Sequence, residues 1–204
     1  VEVVAMGRFV VTVDGTPVGP AEWGSRRART LLGRLVAARG WPVTREELID
    51  ILWPGERSDR LGARLSVQLS AVRRVLGGGV VADRTTVRLD LSAVAVDLEA
   101  WFRLTDDLAI VDGYAEPLPE HRYEDWAAPV RDATRDRFVA AARRLGSQAD
   151  PVVAVPALRR LVALDPYDEA AHRLLTRRLR EDGRLGEAAE AQQRLTEVLA
   201  ELEA

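Results

Sequence analysis

Ala154, Ala157, Leu161 and Leu164 are each followed, 34 residues later, by Ala188, Ala191, Leu195 and Val198. This repeat constrains the chain more than any other feature. A helical unit of that period cannot bury its apolar side alone and must be stacked on by another. "ALDP" and "DGRLGEA" stand where such a repeat places its helix ends. The spacing predicts helices at about 151–164, 168–181 and 185–203, stacked into a solenoid whose concave surface suits protein partners.

The texture that leads into the repeat is also helical. After Asp97, "VDLEAWFRLTDDLAIVDGY" predicts a short helix, the proline-bearing "AEPLPEHRYEDW" a loop, and "APVRDATRDRFVAAARRLG" a long helix. The 34-residue period is that of the tetratricopeptide helical hairpin.

Residues before Asp97 follow a different plan. "VVAMGRFVVTVDGTPVG" reads as two or three short strands around a turn at Asp14-Gly15, with β-branched residues in the strands and turn chemistry between them. Ser25 can cap a helix over "RRARTLLGRLVAARG", in which Ala28, Leu31, Leu32, Leu35 and Val36 recur at helical spacing until Gly40. Thr44 with Glu47 forms a capping box for "TREELIDILW", and Pro54-Gly55 ends that helix. Ser58 or Asp59 can cap a third helix that runs to about Leu76 and stops at the glycines 77–79. "VVAD" and "VRLDL", separated by "RTT", then read as a hairpin. A sheet, three helices and a hairpin in that order predict a winged helix. The fold class expected is mainly α with a small β component: a winged helix-turn-helix domain over 1–96, then an all-α tetratricopeptide-like domain over 97–204.

Composition narrows the function. The 204 residues, 47% of them hydrophobic, fit two small domains. No apolar run approaches the ~18 residues of a membrane span, and "VEVVAMGRFV" has no signal-peptide pattern, so a soluble, cytoplasmic protein with no membrane partner is expected. Cysteine is absent, which excludes disulfides and thiolate metal sites. The chain opens without Met directly into a strand-like run, the expectation being a piece of a longer protein, with sensor or ATPase domains as candidate flanks. Lysine is also absent, so all 29 basic residues are arginine. Residues 1–97 hold 14 Arg against 11 Asp and Glu, a net of +3, while residues 98–204 hold 15 against 21, a net of −6. If the chain binds nucleic acid, the first half does so.

The third helix carries the strongest functional signal. Leu61, Leu65, Leu69, Val72 and Leu76 form one apolar stripe at about 100° per residue. Opposite lie Arg60, Ala63, Val67, Ser70 and Arg74, with Arg64, Ser66, Ala71 and Arg73 along the edges, and no acidic residue occurs from Arg60 to Leu76. An ordinary solvated helix mixes Glu with Arg. A face of Arg, Ser, Val and Ala suits phosphates, base edges and thymine methyls, where carboxylates would be repelled.

Catalytic chemistry is thinly represented. His121 and His172 are the only histidines and read as structural or surface residues, and no serine stands in a Gly-x-Ser-x-Gly elbow. "GGG" lacks the Lys-Ser/Thr of a phosphate loop, and Asp106-Asp107 reads as two solvated carboxylates, not a calcium loop. No enzyme activity, cofactor or metal is expected. Trp23, Trp41, Trp53, Trp101 and Trp126 all stand beside helix ends and read as core packing. Arg173, Arg177, Arg178 and Arg180 are interleaved with acids and read as a solvated face.

Together, "GRFVVTVDGTPV", "SRRARTLLGRLVAARGWPVTREELIDILWP" and "LSAVRRVLG" resemble, in order and spacing, the OmpR-type winged-helix domain of the Streptomyces antibiotic regulatory protein (SARP) family. "AVDLEAWFRL", "YEDWAAPVRDATRDRF" and "ALRRLVALDPYDEAAHRLLTRRLREDGRLGEAAEAQQRL" resemble the bacterial transcriptional activator domain that follows it there. The resemblance implies a transcription regulator that binds double-stranded DNA as direct repeats upstream of a promoter, recruits RNA polymerase, and uses the helical domain for homodimerisation and regulation. By position it assigns a base-edge or methyl contact to Val67, base or phosphate contacts to Ser66, Gln68, Ser70 and Arg73, and the wing to Arg84 or Arg88, while Arg64 and Arg74, on the same acid-free helix, are further candidates for DNA contact. Arg26, Arg27 and Thr44, at helix starts, are candidates for phosphate contacts because helix N-termini attract anions. Three features depart from the family pattern: Ser66 and Ala71 where a long polar residue is common, a wing reading "DRTTVRLD" without the Gly-Tyr element, and a short segment from Phe102 to Gly113. They support an alternative, a protein-interaction module of a larger regulator in which the winged helix is degenerate.

Overall fold

The computed structural model describes residues 1–202 and is mainly helical with a small β component, as expected. The described chain divides into two compact units. One comprises Val1–Arg103 and Ala115–Thr134, the other Leu104–Tyr114 and the chain from Arg135 onward.

The first unit opens with β1 (Glu2–Val4), β2 (Val10–Val13) and β3 (Thr16–Pro17), joined as antiparallel neighbours. The β2–β3 turn is at Asp14-Gly15, both with positive φ (49° and 79°), the conformation that two-residue hairpins require and Asp-Gly tolerates. Three helices follow: α1 (Arg26–Ala37), α2 (Arg45–Leu52) and α3 (Leu61–Leu76). Ser25 Oγ caps α1 by accepting from the Ala28 N–H, and Thr44 Oγ1 caps α2 by accepting from the Glu47 N–H. The reciprocal half of the expected capping box is missing, because the Glu47 carboxylate pairs with Arg34 at 2.7 Å. The expected Ser58 or Asp59 cap of α3 is also corrected: Arg60 precedes the helix with helical backbone, and Ser58 Oγ accepts from the Arg60 N–H. Gly77, left-handed at φ 60°, ends α3.

A hairpin of β5 (Val80–Ala82) and β6 (Thr86–Leu89) comes next, and β4 (Val43–Thr44), which precedes α2, pairs with its β6 side. Val43, Val80, Val87 and Leu89 point inward against Leu31, Leu35, Leu48, Leu65, Leu69 and Val72 in one core. Three helices and a hairpin thus follow the first sheet in the order that the sequence predicts.

The chain between 97 and 134 does not follow the boundary at 96/97 read from the sequence. β7 (Ala95–Val96) lies parallel to β1, and α4 (Asp97–Phe102) follows at once. The Asp97 carboxylate accepts from the Ala5 N–H at 2.7 Å and the Met6 N–H at 3.2 Å, holding α4 to the first sheet. Leu98 and Trp101 are buried, and Glu99 pairs with Arg39. Residues 115–134 also belong here: the Leu118 N–H bonds to Ala5 O and the Gly7 N–H to Glu116 O. The predicted loop carries two 3-10 turns, Pro119–His121 and Asp125–Ala127.

In the second unit the single short helix expected near 97–114 is replaced by a second, separate helix, α5 (Asp107–Gly113). Asp106 and Asp107 are surface carboxylates that also hold structure: exposed Asp106 caps α5 through the Ala109 N–H, and half-buried Asp107 pairs with Arg144, which holds its carboxyl below the usual range. Helix α6 (Ala128–Gln148) contributes residues 135–148. The repeat gives α7 (Pro151–Leu164), α8 (Glu169–Glu181) and α9 (Leu185–Leu202), and α9 starts 34 residues after α7. Position 203 of the last predicted helix lies outside the described residues. Ala154 with Ala188 and Leu161 with Leu195 are buried at both repeats, while Leu164 and Ala191 are half-buried opposite buried Val198 and Ala157, so the repeated letters line the packed side of the repeat.

Candidate nucleic-acid interface

Helix α3 is held from beneath by Leu61, Leu65, Leu69, Val72, Val75 and Leu76, all buried. Arg60, Ala63, Val67, Ser70 and Arg74 are all exposed on the other side. Val67 is 64% exposed although it is a β-branched apolar residue in mid-helix. A notch of about 280 Å³ opens beside it, lined by Val67, Ser70, Ala71 and Arg74 of α3 and by Trp23 and Gly24 ahead of α1. The Arg74 guanidinium passes over Gly24, and a Cβ there would lie 3.8 Å from Arg74 Nη2.

The remaining predicted residues divide between this face and internal duties. Ser66 Oγ donates to Gly62 O and Ser70 Oγ to Ser66 O, each at 2.9 Å. Gln68 is half-buried, and its Oε1 accepts from Ser25 Oγ at 2.5 Å. Arg73 Nε donates to Val80 O at 3.3 Å, tying the end of α3 to the hairpin. Arg64 pairs with Glu56 and stands 4.6 Å from the centre of the Trp53 ring. Arg27 donates to Leu52 O at 3.0 Å and lies 5.8 Å from the same ring. Trp53 is thus buried between two guanidiniums, which ties α1, the end of α2 and α3 together. Thr44 uses its hydroxyl as the α2 cap. Arg26 is exposed at the start of α1, beside a separate cavity lined also by Arg29, Glu120, His121 and Glu124.

On the wing, Arg84 is exposed at the tip and Arg88 is half-buried opposite Val81. The tip is pinned by Asp83. Its Oδ1 accepts from the Thr85 and Thr86 N–H groups, both at 2.7 Å, and its Oδ2 from Thr86 Oγ1. These hydrogen bonds, the Thr86 N–H first, lower its pKa to about 2. They supply by side-chain chemistry the turn that a glycine element would otherwise make.

The sequence reading missed Arg45. It is the first residue of α2, its N–H bonds to Thr85 O of the wing at 2.8 Å, and its Nη2 reaches Ser66 Oγ of α3 at 3.4 Å. Its guanidinium therefore stands between the β5–β6 hairpin and α3. One signal was legible: a cation in the first helical turn is disfavoured by the helix dipole and suggests an anion nearby. Trp41 corrects the core-packing reading, being 76% exposed. Arg39 and Gly40, both at positive φ, turn the chain outward just before it. Trp23, Trp53 and Trp101 are buried, and Trp126 is half-buried.

In the second unit the arginines serve the helices. Arg160 donates to Val111 O and Tyr114 O at the end of α5, and Arg178 to Gly146 O and Ser147 O at the end of α6. Arg178 is thereby removed from the solvated face, while Arg173 pairs with Glu169. A groove of about 560 Å³, lined in part by Val162, Leu175, Leu179 and Val198, opens beside His172. His172 is buried, with Nε2 2.9 Å from Pro166 O. No helix among the described residues is long and apolar enough to cross a membrane.

Residues 109–202 match the family model described as bacterial transcriptional activator domain. No curated protein matches the chain closely enough to count as a relative. Among solved structures the chain is similar to Mycobacterium tuberculosis EmbR in complex with a low-affinity phosphopeptide, with a TM-score of 0.71 and 21% identity. The likeness covers 98% of this chain and 60% of that one, and at this identity it is a likeness of fold.

Proposed function

We propose that this chain, whose residues 109–202 match a transcriptional activator domain, is a DNA-binding transcription regulator of activator type. Its OmpR-type winged helix docks the exposed face of α3 in the major groove of promoter repeats, and its helical part serves dimerisation and recruitment of RNA polymerase. The observation that carries the reading is the exposed face of α3, which has no carboxylate along the 16-residue helix and leaves Val67 and Arg74 uncovered. An ordinary solvated face would carry acids among its arginines. Phosphates and base edges fit this one. Cytoplasmic location and flanking domains belong to the same reading; the chain spans 60% of the EmbR chain.

Selection of bound sequences from a random duplex pool at moderate salt tests this, with Val67→Glu in parallel. The wild type enriches a repeated motif, and its affinity falls steeply as salt rises. Val67→Glu, an exposed change that leaves the core intact, weakens binding by about 10- to 100-fold through a lost contact and a misplaced charge. A folded protein that enriches nothing, or binds without salt dependence, contradicts the reading.

The second reading, a protein-interaction module with a degenerate winged helix, is favoured by one observation: Arg27, Arg64 and Gln68 are engaged by other groups of the protein itself. It expects a partner contact that is lost on substitutions within 151–202 and untouched by Val67→Glu.

A further inference from the structure

The cavity beside Arg26 lies wholly within the first unit and measures about 460 Å³, in the range of small-molecule sites. Three separate pieces of chain build it: the 3-10 turn Pro20–Trp23, the first turns of α1, and the turn Pro119–His121 with Glu124 beyond it. Its polar groups are unevenly used. Arg29 is spent, because its guanidinium holds the Glu120 carboxylate at 2.9 and 2.6 Å and also donates to Phe9 O. His121 turns the Nε2 edge of its ring onto Gly33 of α1. Arg26 and Glu124, by contrast, stand exposed on two different walls, and neither side chain makes an ion pair or a hydrogen bond. The half-buried Thr30 hydroxyl is likewise unused. Trp23 is 3% exposed, and its Nε1–H has no acceptor in the protein. An indole N–H can only donate, and a buried donor calls for an acceptor.

These unused groups define a ligand. Arg26, the Thr30 hydroxyl and the Trp23 N–H all donate, and with the start of α1 beside them they suit a carboxylate. Glu124 suits an ammonium group, and the sides of Pro20 and Trp23 an apolar body. A DNA phosphate satisfies the first set and is repelled by Glu124. The wall also has a second side. Trp23 and Ser25 line this cavity and, equally, the notch beside Val67 and Arg74, and Ser25 Oγ holds Gln68 of α3. Resting on the DNA-docking reading above, we propose that the cavity is an effector site for a free amino acid, with its carboxylate on Arg26 and its ammonium group on Glu124, and that its occupation changes the affinity of α3 for DNA through Trp23 and Ser25.

Calorimetric titration of the whole chain with each of the common L-amino acids in turn tests the site. One of them, or a few alike in side chain, binds saturably, and its analogues lacking the carboxylate or the amino group bind about tenfold more weakly. Arg26→Gln and Glu124→Gln, both at exposed positions, keep the wild-type melting temperature and each weaken the amino acid by about tenfold. At a concentration that just saturates the wild type, the amino acid shifts the affinity for the selected duplex by about fivefold or more, and the shift shrinks in Glu124→Gln. If none of the amino acids binds saturably, or if either variant leaves the binding unchanged, the site is overturned. If both variants weaken the amino acid while duplex affinity is the same with and without it, the coupling to α3 is overturned. If no duplex is enriched at all, the DNA reading fails by itself, and calorimetry still decides the site.

Discussion

Arg45 illustrates how a single residue can be placed by three elements at once. The Thr44 cap fixes the start of α2, the hairpin carbonyl of Thr85 takes the Arg45 N–H, and Ser66 of α3 accepts from its guanidinium. Under the proposed docking it faces the DNA backbone between reading helix and wing, and contributes position more than sequence. Arg45→Ala is expected to weaken binding about equally for all duplexes and to reduce the slope of log affinity against log salt by about 1. Titrations at several salt concentrations measure this; an unchanged slope would remove Arg45 from the interface. Arg64 and Arg27 are poorer choices for such a test, because both brace Trp53 and their loss acts on the fold as well.

At the scale of elements, the contact between α1 and the turn Pro119–His121 explains a glycine that helix propensity alone would exclude. Gly in a helix interior costs about 1 kcal/mol relative to Ala, yet a Cβ on Gly33 would come within 2.7 Å of His121 Nε2. The His121 ring is 8% exposed and packs between Gly33, Phe9 and Trp126. Burial lowers its pKa below 6.5, against the opposing pull of Glu120 and Glu124. The folded state therefore binds this proton less readily than the unfolded chain. Stability is unaffected by this group well above pH 6.5, and falls as the unfolded chain protonates below it, until the folded pKa is also passed. The melting temperature is expected to drop between pH 7 and pH 5, and to drop less in His121→Gln; an identical drop in both would contradict it.

Elements were legible in the sequence wherever their signals are local. Ser25, Thr44, Gly77 and the Asp14-Gly15 turn act within a few residues of themselves, and the 34-residue spacing survives as buried positions in α7 and α9. What was not legible depends on distant partners. The carboxylate of Asp97 meets Ala5, and Glu120 meets Arg29 across 91 residues. The exposed face of α3 could be drawn from spacing, but the direction of its hydroxyl protons could not, since Ser66 and Ser70 can donate inward or outward with the same letters.

For the whole molecule, arginine is the only strong base, and in both units most of it is engaged by the protein's own groups. In the first unit Arg29, Arg34, Arg39 and Arg64 pair with carboxylates; in the second Arg135, Arg143, Arg144 and Arg159 do so, while Arg160 and Arg178 close helix ends. Such guanidiniums stabilise a helical stack and leave little for phosphates. In the first unit Arg45 and Arg74 stand at the two sides of an acid-free face. The net charge of −3 opposes nucleic acid at long range, so binding rests on this local face. Backbone amide NMR of the whole chain, titrated with a selected duplex, tests that most directly. The account predicts the largest shifts from Ala63 to Arg74, with further shifts at Arg45 and Thr85 and small ones beyond 151. Shifts concentrated within 151–202, with α3 unmoved, would contradict it.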